Sequence, residues 1–166
     1  MNDSIKNSLS DQANHELYAA HCYRAMAFWC DDRDYNGFAK FFYEQADEEQ
    51  AHALRFFTHL LDRGIQPRVT GIKDPKNEFD NILEVALQAR ALEKANTEYI
   101  SACYELAVAE KDYLSQPMLL EFIQEQVEEL SWTDTMLTLT ERAQCSGATY
   151  NLDRHIRKDL RGESEG

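Results

Sequence analysis

Glu48-Glu49-Gln50-Ala51-His52-Ala53 is the stretch that decides the fold, because it sets a carboxylate and an imidazole three residues apart within a long helical pattern. Residues three apart lie on one face of a helix, so Glu49 and His52 point in the same direction. The neighbouring alanines indicate that this face is buried, where a carboxylate is costly unless it is paired or binds a metal. A single Glu-x-x-His is more often a solvated surface pair than a metal site, so its partners elsewhere in the chain decide the interpretation.

Those partners recur at matched spacing. Glu16 precedes Glu49 by 33 residues, and Gln126-x-x-Glu129 begins 33 residues after Glu93. Equal separations place the members of each pair at the same level across a helical hairpin. Four helices that each direct a carboxylate inward can hold two metal ions between them.

Composition limits the function further. The 166 residues fit one domain, and 30 acidic against 17 basic residues give a net charge of −13, which argues against nucleic-acid binding and suits a protein that attracts cations. The four cysteines form no C-x-x-C pair, which argues against a zinc ribbon and suits a reducing compartment. No apolar run approaches the length of a membrane span, so we expect a cytoplasmic protein, although a transit peptide removed earlier would leave no trace.

Helical periodicity covers most of the chain and predicts an all-α fold: a four-helix bundle with one long crossover and a short fifth helix. The crossover falls at residues 64–77, which hold two glycines and two prolines and no periodic pattern. A connection of this length suits two parallel helices. Residues 161–166 are predicted to be a disordered tail. The predicted helices of this single domain, 1–166, run roughly over 4–32, 37–63, 77–111, 116–144 and 152–160.

Five motifs along the chain resemble those of the ferritin family, and most closely those of its non-haem bacterial members. The motifs are Asn14-His15-Glu16, Tyr23, Phe38-Ala39-Lys40-Phe41-Phe42, Glu48 to Ala53, and Glu125-Gln126-Val127-Glu128-Glu129. The resemblance covers essentially the whole chain, fifth helix included. It implies a ferroxidase that oxidises Fe(II) with O2 or H2O2 and stores the product as a ferric mineral inside a homo-oligomeric shell of twenty-four subunits.

The resemblance also implies roles for individual residues. One iron would be held by Glu16, Glu49 and His52, and the second by Glu49, Glu93 and Glu129 with Gln126 nearby. Tyr23 would lie beside the irons, where it can donate an electron. Some bacterial ferritins have a third iron site, which here would comprise Glu48, Glu125, Glu128 and Glu129.

Departures from related families separate the alternatives. Gln50 stands where bacterioferritins carry a haem-ligating Met, so we expect no haem. Gln126 and Glu129 replace the Glu and His that bacterioferritins and di-iron oxygenases keep, which favours exchangeable iron over a fixed cofactor. A haem bacterioferritin, a di-iron oxidoreductase acting on an organic substrate and a storage protein without catalysis remain the alternatives. The physiological oxidant, a Tyr23 radical and the iron entry pore stay open, the last because Gln116 and Leu119 stand where acidic channels carry carboxylates.

Overall fold

Five α-helices make up the chain in this computed structural model, which describes residues 1–162. Within that range there is no β-strand, which confirms the predicted all-α class, and no helix has both the length and the apolar character needed to cross a membrane. The four long helices form a bundle, and the short fifth helix packs against the second and the fourth. The helices are α1 (Asp3–Asp31), α2 (Asn36–Asp62), α3 (Ile82–Ala109), α4 (Gln116–Arg142) and α5 (Ser146–Arg161).

Contacts between α1 and α3 define the topology of the bundle. Ser8 meets Cys103 and Gln12 meets Asn96, so the two helices run antiparallel. Because a short turn also makes α1 antiparallel to α2, α2 and α3 are parallel. Residues 63–81 must therefore traverse the length of the bundle, as the sequence predicts.

The crossover is fixed to α1 along its course. The Asn14 side chain donates to the carbonyl of Arg68 at 2.7 Å and accepts from the backbone N–H of Thr70 at 2.9 Å. Further along, buried Phe79 packs edge-on against Trp29, with ring centroids 5.7 Å apart. These contacts order a long connection that has no helix of its own.

The third helix begins at Ile82, so the predicted start at residue 77 is wrong. Asn81 is extended, and its side chain accepts from the backbone N–H of Glu84 at 3.0 Å. Glu84 in turn accepts from the backbone N–H of Asp80 at 2.6 Å. The Asn81 cap satisfies one of the free N–H groups in the first turn, and the bond from Asp80 fixes the preceding residue, so together they set the start of the helix.

The fifth helix begins at Ser146, so the predicted start at residue 152 is also wrong. Gly147 falls in the first turn, where it does not break the helix, and the extended Cys145 accepts from the N–H of Thr149 at 2.9 Å. The helix continues to Arg161, which the sequence assigned to a disordered tail. Residues 163–166 of that tail lie outside the described residues. The predicted start of α4 at residue 116 is confirmed, and the other helix ends differ from the predicted ones by one or two residues.

The fifth helix also caps α2. The N–H of Phe38 in the first turn of α2 donates to Oδ1 of Asp153 at 3.0 Å. Gly37 permits this approach, because a Cβ at that position would lie 1.8 Å from the carbonyl oxygen of Asp153. The close contact holds α5 against the end of the bundle.

The apolar core is divided into two clusters at opposite ends of the bundle. One contains Tyr23, Phe42 and Trp132, and the other contains Leu9 and Phe56. The helices present buried polar side chains in the interval between these clusters. A polar layer enclosed by apolar layers is costly to fold, which indicates that it serves a function.

Candidate metal centre

The polar layer brings together one carboxylate from each of the four long helices. Glu16 lies on α1, Glu93 on α3 and Glu129 on α4, while α2 supplies Glu49 and, one turn later, His52; all five are buried. One ligating atom each of Glu16, Glu49 and His52 lies within 4.8 Å of the others, and the same is true of Glu49, Glu93 and Glu129. Glu49 is common to both groups, so its carboxylate is the one that could contact two ions at once.

Glu49 is fully buried, and only one of its two carboxylate oxygens has a hydrogen-bond partner among the described residues. Its Oε2 lies 3.1 Å from Nδ1 of His52, but its Oε1 has no hydrogen-bond partner among residues 1–162. Burial raises the pKa of Glu49 well above its usual value, and the charges of Glu16 and Glu93 raise it further. Buried polar atoms without a partner are rare in proteins. A cation among these carboxylates would satisfy the oxygen and relieve the repulsion.

Neutral amides hold Glu16 in place. Gln12 donates through Nε2 to Oε1 of Glu16 and to Oδ1 of Asn96, both at 2.7 Å. Asn96 donates through Nδ2 to Oε2 of Glu16 at 3.2 Å. Both oxygens of Glu16 thus have a neutral donor, so these hydrogen bonds place the carboxylate without neutralising its charge.

Glu93 is held by Tyr23 and Gln126. The Tyr23 hydroxyl donates to Oε1 of Glu93, and Nε2 of Gln126 donates to Oε2 at 3.1 Å and to Oγ1 of Thr97 at 2.9 Å. Burial raises the pKa of Glu93 to about 7, although these two donors lower it. Burial and the charge of Glu93 also raise the pKa of Tyr23 well above its usual value, so the phenol keeps its proton. Tyr23 and Gln126, which the resemblance places beside the irons, thus both donate to Glu93.

Glu129 accepts two hydrogen bonds on a single oxygen. Nε2 of Gln45 donates to Oε2 at 2.8 Å, and the indole Nε1 of Trp132 donates to the same atom at 2.5 Å. Burial, followed by the charge of Glu93, raises the pKa of Glu129 to about 8. Because both donors bind Oε2, Oε1 is the oxygen better placed to bind a cation.

His52 has a carboxylate on each side. While Nδ1 faces Glu49, Nε2 lies 3.4 Å from Oε2 of Glu125. Arg55 holds Glu125 at 3.0 Å and Glu121 at 2.7 Å. Each ring nitrogen therefore has a carboxylate that can accept its proton. A cation that displaced the contact between Nδ1 and Glu49 would leave the proton on Nε2, facing Glu125, and the Nδ1 lone pair free for the metal.

Of the four residues expected at a third iron site, Glu129 belongs to the layer, and the other three lie at its edge. Glu125 is paired with Arg55, and Glu48 lies 3.9 Å from Arg161. Glu48 and Glu128 line a cleft of about 680 Å³. Within residues 1–162, neither they nor Glu125 join the compact ligand groups formed by the five deeper side chains. The third site therefore stays a prediction.

Sequence reasoning missed the residues that support the ligands. Four of them lie one helical turn from a ligand on the same helix: Gln12, Gln45, Asn96 and Trp132. A search for polar side chains three or four residues from each predicted ligand would have found them. Their partners could not be deduced in this way, because bonds such as Gln12 to Asn96 join residues 84 apart in the sequence.

Comparisons with known proteins agree with this geometry. The family model of the ferritin-like domain matches residues 6–143. A bacterial non-heme ferritin of Staphylococcus saprophyticus is 37% identical over 166 residues, covering 99% of each chain, and one of Staphylococcus haemolyticus is 39% identical over 142 residues, covering 86% of each. A crystal structure of an open pore ferritin from the archaeon Archaeoglobus fulgidus superposes with a TM-score of 0.91 at 26% identity, covering 97% of this chain and 99% of the other.

Proposed function

The chain belongs to the ferritin family, and we propose that it stores iron by oxidising Fe(II) in the polar layer and passing the product to a ferric mineral inside a twenty-four-subunit shell. The observation that carries this proposal is the pair of buried ligand groups that share Glu49. The bacterial non-heme ferritins among its relatives support it. In this proposal iron is the substrate and the cargo.

The ligand set suits iron in both charge and chemistry. Four ionised carboxylates would carry a charge of −4, which equals the charge of two Fe(II) ions. Carboxylate oxygens with one imidazole favour iron or manganese over softer metals. Anionic oxygens stabilise Fe(III) more than Fe(II), since the attraction grows with the charge of the ion. The site would therefore make oxidation easier.

The ligands divide between two positions. Glu16 and His52 would complete the first with Glu49, and Glu93 and Glu129 would complete the second with the same bridging carboxylate. Two Fe(II) ions supply the two electrons that, with two protons, reduce O2 to H2O2 or H2O2 to water. Two Fe(III) ions then exceed the carboxylate charge by two, which favours binding of hydroxide and departure of the product towards a mineral.

Aerobic addition of Fe(II) to the metal-free protein tests this proposal, first at a few and then at hundreds of ions per chain. We expect fast growth of ferric absorbance and elution of soluble ferric iron with a very large shell. Glu49→Ala should lose the rapid phase and keep the shell, whereas Glu98→Gln, an exposed carboxylate on α3, should behave as wild type.

Three outcomes contradict the proposal. An unchanged initial rate in Glu49→Ala would remove the site from the reaction. Iron that stops near two per chain on a small oligomer would identify a fixed di-iron cofactor and redirect the search to an organic substrate. Iron that is stored but oxidised no faster than in buffer would indicate a storage protein without catalysis. Haem reconstitution should give no bound absorption band, because exposed Gln50 offers no thioether.

A further inference from the structure

Arg161, at the end of α5, is the one residue of that helix whose described contacts lead to the metal centre by two routes. Its side chain is about a quarter exposed, at 27%, and it reaches the cleft beside Glu129. It also lies near two carboxylates of α2, 3.8 Å from Glu44 and 3.9 Å from Glu48.

The first route runs through one amide. Arg161 donates through its guanidinium to Oε1 of Gln45, and Nε2 of Gln45 donates to Oε2 of Glu129 at 2.8 Å. An amide has one acceptor end and one donor end, so a cation bound at Oε1 fixes which end faces Glu129. If the amide were reversed, its oxygen would face a carboxylate, and the two would repel.

The second route runs through aromatic rings. The Arg161 guanidinium lies over the Phe41 ring, 4.6 Å from its centroid. Phe41 packs edge-on against Trp132 at 4.8 Å, and the Trp132 indole N–H donates to Oε2 of Glu129. Both routes thus end on the same oxygen of one proposed ligand.

We propose that Arg161 and Gln45 are positioning residues that hold Oε2 of Glu129 away from the second metal position, so that Glu129 presents Oε1 to the ion. This inference rests on the proposed function, because it assigns Glu129 to that position. Groups that orient a metal ligand typically change metal affinity by about 10- to 100-fold when they are removed. The fifth helix would in this way set the affinity of a site to which it contributes no ligand.

Titration with Co(II) tests the proposal, because Co(II) is stable in air and quenches nearby indole fluorescence. A Trp29→Phe background leaves Trp132 as the only tryptophan, so its emission reports the second position. Equilibrium dialysis gives total bound Co(II) in parallel. We expect Gln45→Leu and Arg161→Met to move the Trp132 response to about 10- to 100-fold higher Co(II) and to leave the other binding step unchanged.

Two control variants distinguish a specific effect on the position of Glu129 from a general weakening of the packing of α5. Arg161→Lys keeps a donor to Gln45, so its Trp132 response should stay within about threefold of the parent. Arg157→Met removes an α5 ion pair to Glu44, at 2.6 Å, and should leave the response in place. Thermal unfolding confirms that each variant is folded, and the partly exposed Arg161 can be changed without opening the core.

Each outcome bears on a different claim. The proposed positioning role of Arg161 and Gln45 is wrong if both test variants keep the parental Trp132 response, if both binding steps shift together, or if Arg157→Met gives the same shift as Arg161→Met. In all three cases the parent still binds two Co(II) per chain and oxidises Fe(II), so the proposed function stands. A parent that binds no Co(II) at this layer overturns the proposed function itself.

Discussion

Replacing Glu129 with glutamine should stabilise the metal-free protein at neutral pH, because an amide is neutral in both the folded and the unfolded chain and keeps the shape of the side chain. The new amide oxygen can still accept from Gln45 and Trp132, which both bind Oε2 in the wild type. Burial raises the pKa of Glu129 to about 8. At pH 7 the folded wild type must therefore hold a proton that the unfolded chain has released.

The size of the effect follows from this difference in proton binding. The pKa of Glu129 in the folded state is about 8, against 4.5 for an ordinary Glu, so wild-type stability falls as the pH rises from about 4.5 to about 8 and then levels off. Below pH 4.5 both states are protonated and the two proteins should be equally stable. At about 1.36 kcal/mol per pH unit, the wild type is weaker by about 1 kcal/mol at pH 5 and about 3 kcal/mol at pH 7.

Calorimetry of the metal-free proteins at one scan rate checks this expectation. For a domain of this length, 1 kcal/mol moves Tm by about 2–4 °C, so Glu129→Gln should raise Tm by about 6–12 °C at pH 7. Glu128→Gln, an exposed neighbour on α4, should change Tm little at any pH. Saturating Co(II) should favour the wild type, which binds it more tightly. Equal Tm values at pH 7, or a difference that is constant between pH 5 and pH 8, would refute the reasoning.

Two further substitutions probe the supports of the site. Tyr23→Phe removes the hydroxyl that donates to Glu93, so about tenfold more Co(II) should be needed to fill the second position in equilibrium dialysis. An unchanged Co(II) affinity would show that Tyr23 does not position Glu93 for the metal. Gly37→Ala places a methyl group 1.8 Å from the carbonyl oxygen of Asp153, so it should lower Tm by roughly 5 °C and expose α5 to proteolysis. An unchanged Tm and intact α5 would show that the contact gives way without cost.

The sequence predicted well which side chains meet in the polar layer, because helical spacing is a local property. Glu49 and His52 share a face in any α-helix, and two separations of 33 residues align the hairpins before any packing is known. The start of α5 was missed for the opposite reason. Gly147 reads as a break in a local pattern, although a glycine in the first turn of a helix is compatible with its start.

The supports of the site depend on contacts between helices, which no local pattern contains. Glu125 looks like a metal ligand from its place in an acidic stripe, yet in the fold it meets Arg55, 70 residues earlier in the chain. Arg161 was assigned to a tail, and only the packing of α5 against α2 brings it to Gln45. Both contacts join residues of different helices, so sequence position alone does not indicate them.

The same desolvation that weakens the metal-free fold prepares the centre for its ions. Burial raises the pKa of Glu93 to about 7 and that of Glu129 to about 8, so metal binding near neutral pH must displace protons, and affinity should rise with pH through this range. A protein selected only for stability would replace these carboxylates with apolar side chains. Instead, the two apolar clusters at the ends of the bundle stabilise a layer that opposes folding, and in the proposed function bound cations would remove that opposition. Metal binding and stability of the fold are therefore linked. A variant that is more stable than the wild type without metal should bind metal more weakly.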